Sequence, residues 1–479
     1  MLHLQHNYAS IVIRKNQVLG EIRIMKRFFT LAILLSLTTS YTVSALAIEN
    51  NVEPKKIKTE KVKPTQDKYQ YINLNWWQGF NDDILNNYIV KAIENNKDLK
   101  MATLTIDEFY QNVVSQRSAQ LPSVTAGFMP GVSDIGMGSN DSYAFPIFAS
   151  YELDLFGKNS NKTDSVRKLW ESSILDERAA YISIASAVGS TYINIVKMDA
   201  MIDLQEEIVK LRKEIFEMMS ISNAEGIAST SDLVKANQAY VSGVTDLTEL
   251  KKNRTKMLHQ LAVLVGDSPN NIEEYSRCDY KTLAYTGLIP ETVSSEIIMQ
   301  RPDYLKAEKM LEKAGIDVKA ARKECLPSIN LGGLLLFNSQ NIGSLFTTSN
   351  ALWGLGGGLL HPIFAGGRIK ANLKAKKIAY EKSLKNYEKV NLTSMQEVND
   401  TLVTVNMDKE KLLKQKEIQE LEQKDYVLSE LKYNEGIIAK LDLNQRKENL
   451  LNVNKLIYAS EFDCMIDYIS YYKAVGAKA

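Results

Sequence analysis

Apolar residues in the middle of each half of the chain recur at alternating steps of four and three. Leu204, Ile208, Leu211, Ile215 and Met218 keep that rhythm, and Met395, Val398, Leu402 and Val405 keep it again. A 3.5-residue repeat is the seam of a coiled coil, and it predicts two long helices, over about 161–223 and 369–433. The first stretch has no proline and one glycine, Gly189. A helix of some sixty residues is roughly 90–100 Å long. No compact domain accommodates that length, so the helix projects.

Elsewhere the period falls to two. In YAFPIFASYELDL, Tyr143, Phe145, Ile147, Ala149, Tyr151, Leu153 and Leu155 share one face; Ala144, Ser150, Glu152 and Asp154 share the other. Bulky apolar residues opposite small or acidic ones mark a transmembrane strand between lipid and a wet lumen, with Glu152 and Asp154 turned to the lumen. The pattern is less clean at Pro146 and Phe148. In the second half Ile329, Leu331, Leu335 and Phe337 share a face, as do Trp353, Leu355, Leu359 and Ile363. Two β-hairpins are predicted, about 123–156 and about 328–364. The GLGGG run lacks the Gly-Lys-Ser/Thr that a phosphate loop needs, so its glycines are strand glycines. Lipid tolerates no open sheet edge, and the smallest membrane barrels need about eight strands. Two hairpins supply only four, so if these strands cross a membrane, and are not soluble hairpins of a sandwich core, several copies must share one barrel.

The chain also repeats itself. SNAEGIASTSDLVK from Ser222 and YNEGIIAKLDLNQ from Tyr433 align on Gly226 and Gly436, each with Asp-Leu six residues further on. Asn96–Phe128 parallels Arg301–Gly333, with Leu-Pro-Ser at matching places. Two tandem halves are expected, 76–289 and 290–479. Gly226 and Gly436 permit the left-handed conformation that ends helices, and Ser229 or Ser231 can cap the next one. The returning helices, about 231–265 and 439–474, are half as long as the outgoing ones. The segments 98–120 and 303–325 complete the way back. The two glycine turns are then the tips of a helical tube, one per half.

With 479 residues, a net charge of +1, 45% hydrophobic and 24% charged residues, the chain is neither a nucleic-acid binder nor a disordered polymer. Cys278, Cys325 and Cys464 lie far apart without metal-ligand spacing, and leave at most one disulfide open. No nucleophile–base pair stands near His259 or His361, so no enzyme, metal or cofactor is expected. Residues 25–47 have a basic start, an apolar run and a small-x-small end, a secretory signal cleaved before Ile48. The run is short for the alternative, a membrane-spanning anchor of about 20 residues. Residues 1–24 before it read as a start-site artefact, and 48–75 as an extended Lys- and Pro-rich segment. No cysteine follows the apolar run, so N-terminal lipidation is not expected.

Several runs carry a resemblance: WWQGFNDDILNNYIVKAIENNKDL, LAVLVGDSPN, RPDYLKAEKMLEKAGIDVKAARKECLPSINL, YELDLFGK, PIFAGGRIKANL, MQEVNDTL and YYKAVG. The chain resembles the outer membrane efflux proteins of Gram-negative bacteria, the TolC-like channels. It is most similar to the NodT-like branch that partners resistance-nodulation-division (RND) pumps. The resemblance implies a mainly α coiled-coil tube under a transmembrane β-barrel to which each protomer of a homotrimer gives four strands. It also implies an outer membrane location reaching into the periplasm, and passive conduction of what an inner-membrane RND pump delivers. A periplasmic adaptor (membrane fusion protein) would dock at Glu225, Gly226, Glu435 and Gly436. Relatives line their periplasmic opening with aspartates past the last glycine turn; Asp442 matches the first, with Asp232 its counterpart in the first half. Gln445 stands where the second would be, and Ile438 where relatives carry a basic residue. The rival readings are the channel of a type I protein-secretion system and a periplasmic coiled-coil adaptor or structural protein, which would not need the hairpins.

Overall fold

The computed structural model describes residues 75–134, 139–270, 272, 275–287, 289–290 and 293–476. The expected signal peptide, the residues before it and nearly all of 48–75 lie outside the described residues.

Helices α1 (Asn75–Gln78), α2 (Asp83–Asn95) and α3 (Lys97–Ser118) lead into strands β1 (Ser123–Ala126), β2 (Met129–Asp134) and β3 (Ser139–Leu153). Then come α4 (Lys158–Ala224) and α5 (Thr230–Leu264). The second half runs α6 (Ser295–Ile298), α7 (Pro302–Lys323), β4 (Ser328–Ser339), β5 (Ala351–Leu360), α8 (Arg368–Asn434) and α9 (Lys440–Ala474). The long helices α4 and α8 have 67 residues each, about 100 Å at 1.5 Å per residue. The returning helices α5 and α9 have 35 each, and α3 and α7 have 22 each.

The shorter helices stack end to end because polar side chains stitch their ends together. Asn96 caps α3, accepting the N–H groups of Asp98 (2.9 Å) and Leu99 (3.1 Å). Its Nδ2 donates to the Leu264 carbonyl at the end of α5, 2.9 Å away. In the second half Arg301 Nη1 donates to the Ala474 carbonyl at the end of α9, at 2.5 Å. The same guanidinium forks onto Asp303 and reaches Glu397 of α8. Gly266 ends α5 at φ +82, and a Cβ there would lie 2.6 Å from the Asn95 carbonyl oxygen. These contacts give Gly266 of the VGD run, and Arg301 and Asp303 of the RPD run, their places.

All strand pairs are antiparallel, and the sheet has four paths. β1 and β2 both pair with β3, which pairs with β4, which pairs with β5. The first arm of the first hairpin is thus one path broken at residues 127–128. The two hairpins are joined from Tyr143↔Ser339 to Leu153↔Ile329. Along one face the register sets Ile147 beside Leu335 beside Trp353, and Tyr151 beside Leu331 beside Gly357. Along the other it sets Glu152 beside Asn330 beside Gly358, and Ser150 beside Gly332 beside Gly356. Further from the helices the second face turns apolar, with Phe148 beside Leu334 and Pro146 beside Leu336 and Leu352. Phe346, in the β4–β5 connection, meets Phe145 and Phe337 edge-on at 5.3 and 5.4 Å. An aromatic group at the end of an apolar band is what membrane barrels place at the interface.

The principal core lies where α1 and α2 meet the middle of α4 and the end of α9. Trp76, Phe80, Leu85 and Ile89 are buried against Val188, Tyr192, Ile469 and Tyr471. The Tyr192 hydroxyl donates to Asp82 Oδ2 at 2.5 Å and accepts the Cys278 N–H at 3.1 Å. Asp82 also caps α2, so one buried carboxylate is fully used. The seam on α4 buries Leu204, Ile208 and Leu211 against Leu451, with Ile215 half-buried. On α8 Val398 and Val405 are buried as the seam requires, but Met395 remains 42% exposed. The wholly buried Ser394 takes the seam at that one position, one residue earlier than expected. The three cysteines are free thiols.

Candidate functional site

Both tips are built the same way. Each long helix ends at a glutamate, Glu225 or Glu435, followed by a glycine at φ +72. The Ile227 N–H reaches the Ser222 carbonyl (2.8 Å) and the Gly226 N–H that of Asn223 (3.0 Å). The Ile437 N–H reaches the Lys432 carbonyl (2.8 Å) and the Gly436 N–H that of Tyr433 (2.9 Å). This nested pair is the Schellman motif, which satisfies the last carbonyls of a helix when the residue after it is left-handed. The motif usually covers its following hydrophobic residue, yet Ile227 is 82% and Ile437 70% exposed. The sequence showed an isoleucine after each glycine; only the structure shows that none of the described residues covers it. Glu225 and Glu435 are exposed beside them.

The returning helices start differently. Ser229, not Ser231, caps α5: its Oγ accepts the Asp232 N–H (3.1 Å) and donates to Asp232 Oδ2 (2.7 Å). Asn223 Nδ2 adds a bond to the Ala228 carbonyl at 2.9 Å. The Ser229 hydroxyl, and secondarily Lys235, hold the Asp232 carboxyl below the usual carboxylate range. At the second tip the capping position is Ala439, which has no side-chain acceptor. Asp442 Oδ2 accepts the Ala439 N–H at 3.3 Å, and the Lys440 ammonium lies 5.2 Å from the Tyr433 ring centre. Both aspartates are thus exposed acids in the first turn of a helix, where the helix dipole favours them. Gln445 bonds Asn449 instead, at 3.4 Å.

At the other end of α4, Glu152 pairs with Lys158 at 2.6 Å. Asp154 lies one residue past β3, and its oxygens accept the N–H groups of Asn159 (3.0 Å) and Ser160 (2.7 Å). It caps the long helix, and Gly157 at φ +69 lets the chain turn from strand to helix. A cleft of about 260 Å³ opens beside these residues, lined also by Lys323 and Arg368. Lys158 is the partner that sequence reasoning missed, since a strand pattern does not show which helix follows close enough to neutralise its acid.

Asp467 of α9 stands out among the carboxyls. Burial, then the facing Asp408 of α8 and Asp463, push it up to about 7. The buried Cys464 thiol beside it is pushed up to about 11, by burial and the same acids. His259 and His361 are exposed elsewhere. Among the described residues no group of three His, Cys, Asp or Glu could hold a metal ion.

The family model of outer membrane efflux proteins matches the chain twice, over residues 88–267 and 293–477. The chain is 28% identical over 412 residues to the probable efflux pump outer membrane protein TtgC of Pseudomonas putida, covering 84% of each. It is 26% identical over 413 residues to the cation efflux system protein CusC of Escherichia coli, covering 86% of this chain and 90% of the relative. Among solved structures, the CmeC outer membrane channel of Campylobacter jejuni matches with a TM-score of 0.76 at 24% identity, covering 85% and 88%. CusC matches with a TM-score of 0.74 at 24% identity, covering 84% and 94%. The fold is therefore the TolC-like channel fold.

Proposed function

The chain belongs to the outer membrane efflux protein family, as the channel of a tripartite efflux system, and we propose that three copies form one conduit from the periplasm through the outer membrane. The observation that carries this reading is the sheet. Four antiparallel paths, apolar on one face, end in edges at β1/β2 and β5 that pair with no strand of this chain among the described residues. In lipid those edges must be closed, and three copies supply about twelve strands, within the range of membrane barrels. Trp353 and Leu355, 77% and 82% exposed, then face acyl chains. Val403, Met407, Leu421 and Leu428 of α8 and Val234 and Val241 of α5 are exposed as well. Rows of that kind suit helix neighbours supplied by other copies.

In this reading the tips, with Glu225, Gly226, Glu435, Gly436 and the uncovered isoleucines, receive a periplasmic adaptor, and an inner-membrane pump of RND type delivers the cargo. Asp442 and Asp232 line the periplasmic opening while capping their helices. Glu152 faces the lumen as an ion pair with Lys158, and Asp154 sits at the foot of the lumen as a helix cap. The barrel holds the protein in the outer membrane after export directed by residues 25–47. Conduction is passive; the chain performs no chemistry of its own. The two halves descend from one duplicated unit, which the double match of the family model and the equal helix lengths support.

Planar bilayers test conduction. Purified protein is expected to give stepwise ionic conductance, small in the resting state and larger once the adaptor is added. A trimeric preparation that conducts under neither condition would overturn the reading.

A further inference from the structure

Gln205 is 2% exposed, and a buried primary amide on a coiled-coil helix needs partners at both its ends. Its Nε2 donates to the Gly243 carbonyl of α5 at 3.0 Å, and its Oε1 accepts from Lys455 of α9 at 2.7 Å. Seven residues further along α4, Arg212 repeats the arrangement. Its Nη1 donates to the Ala239 carbonyl of α5 at 3.0 Å. Its Nε and Nη2 donate to Glu448 of α9 at 2.9 and 2.7 Å. Moving from Gln205 to Arg212 the partners step back from Gly243 to Ala239 on α5 and from Lys455 to Glu448 on α9, the reversed order of antiparallel helices. The backbone carbonyls come within reach because Gly243 is buried and lacks a side chain. A Cβ there would lie 3.3 Å from Val209 and 3.4 Å from Arg212.

We propose that Gln205 and Arg212, with Gly243, form a two-tier clamp that fastens the α8–α9 hairpin to the α4–α5 hairpin and sets where the second tip stands relative to the first. In each tier one α4 side chain holds a backbone carbonyl of its own hairpin and a charged side chain of the other. Gln205, Arg212, Glu448 and Lys455 are therefore positioning residues for the tips. The Arg212 and Glu448 side chains are only 20% and 12% exposed, so salt screens this pair less than a surface pair. The clamp lies within one protomer. Its bearing on opening rests on the channel reading, because opening must then either break the clamp or bend the tips below it.

Spin labels at Ile227→Cys and Ile437→Cys, in a chain carrying Cys278→Ala, Cys325→Ala and Cys464→Ala and diluted with unlabelled chain, report the tip-to-tip distance by pulsed electron resonance. One narrow distribution is expected with the clamp intact. Glu448→Gln and Gln205→Met should each broaden it and shift it to longer distance, and Arg212→Met should do so further. Gly243→Leu should match Arg212→Met by pushing α5 off α4. Glu448→Gln preserves shape, so it remains informative if Arg212→Met fails to fold. An unchanged distribution in folded Glu448→Gln and Gln205→Met proteins would overturn the clamp. Conduction is not the readout, so such a result would leave the channel reading standing.

Discussion

The two tips stop a helix in the same way and restart one in different ways. At both, a glycine at φ +72 carries a nested pair of backbone hydrogen bonds. At the first, Ser229 and Asp232 satisfy each other and Asn223 ties the turn down. At the second, Ala439 offers nothing and Asp442 alone reaches back. Stopping a helix on a left-handed residue is a backbone requirement that glycine meets best, so both halves keep it. Restarting one depends on whichever side chain reaches the first N–H groups, and there the halves differ. The second tip is the less firmly capped.

The largest expected effect separates a glycine needed for its torsion from one needed also for space. Gly266 shares the left-handed torsion of the tips, at φ +82, but packs against Asn95, whereas nothing lies within 4 Å of a Cβ on Gly226 or Gly436. Gly266→Ala should cost about 3 kcal/mol, torsion plus overlap, measured by denaturant unfolding of the solubilised protein. An equal loss at Gly226→Ala would show that the first tip is packed rather than free.

Gly226→Ala and Gly436→Ala should each cost about 1–2 kcal/mol, since only the left-handed torsion is penalised. The loss should appear as faster amide exchange at Ile227 and Ile437 while assembly is unchanged. A bulky β-branched residue in place of either glycine should impair efflux at normal protein levels. Wild-type efflux in both variants would remove the tips from the docking site.

The restart sites should respond in opposite directions. Ser229→Ala should loosen the first tip by about 1 kcal/mol, and Ala439→Ser should tighten the second by a similar amount. Exchange of the first α5 and α9 amides measures both, and equal protection at the two tips before mutation would contradict the difference.

The smallest effect is a pH dependence of the first tip. The Asp232 carboxyl titrates below its ordinary value, so the folded turn favours its ionised form. That contribution is present above about pH 4, the ordinary aspartate value, and is lost as pH falls through the lowered value. Amide exchange at Ala228–Asp232 should therefore accelerate below pH 4 beyond its intrinsic trend, and Asp232→Asn should abolish the extra acceleration.

Much of this architecture is legible in the sequence because it depends on periodicity and on glycine. The 3.5-residue seam and the two Glu-Gly-Ile turns place α4, α5, α8 and α9 close to their observed bounds. The alternation around Tyr151 and Leu331 places the strands. What pattern does not carry is the identity of partners across helices. Lys158 neutralising Glu152, Arg301 tying α7 to α9, and Gln205 reaching Lys455 join residues that lie far apart in sequence or in different kinds of element. Nor could alternation foresee that Asp154 leaves the strand to cap α4, because strand and cap both accept an acid there. The slip at Met395 has the same origin: which helix covers a seam position is settled by packing, and Ser394 is the residue that packing covers.

The central claim is that a four-path sheet with open edges is closed by other copies of the same chain. Native mass spectrometry of the detergent-solubilised mature protein tests it most directly. The account predicts a particle of three chains that stays together when Gly226 or Gly436 is replaced. A monomer stable in detergent would contradict it, since four paths cannot close a membrane barrel, and would favour a periplasmic helical protein instead.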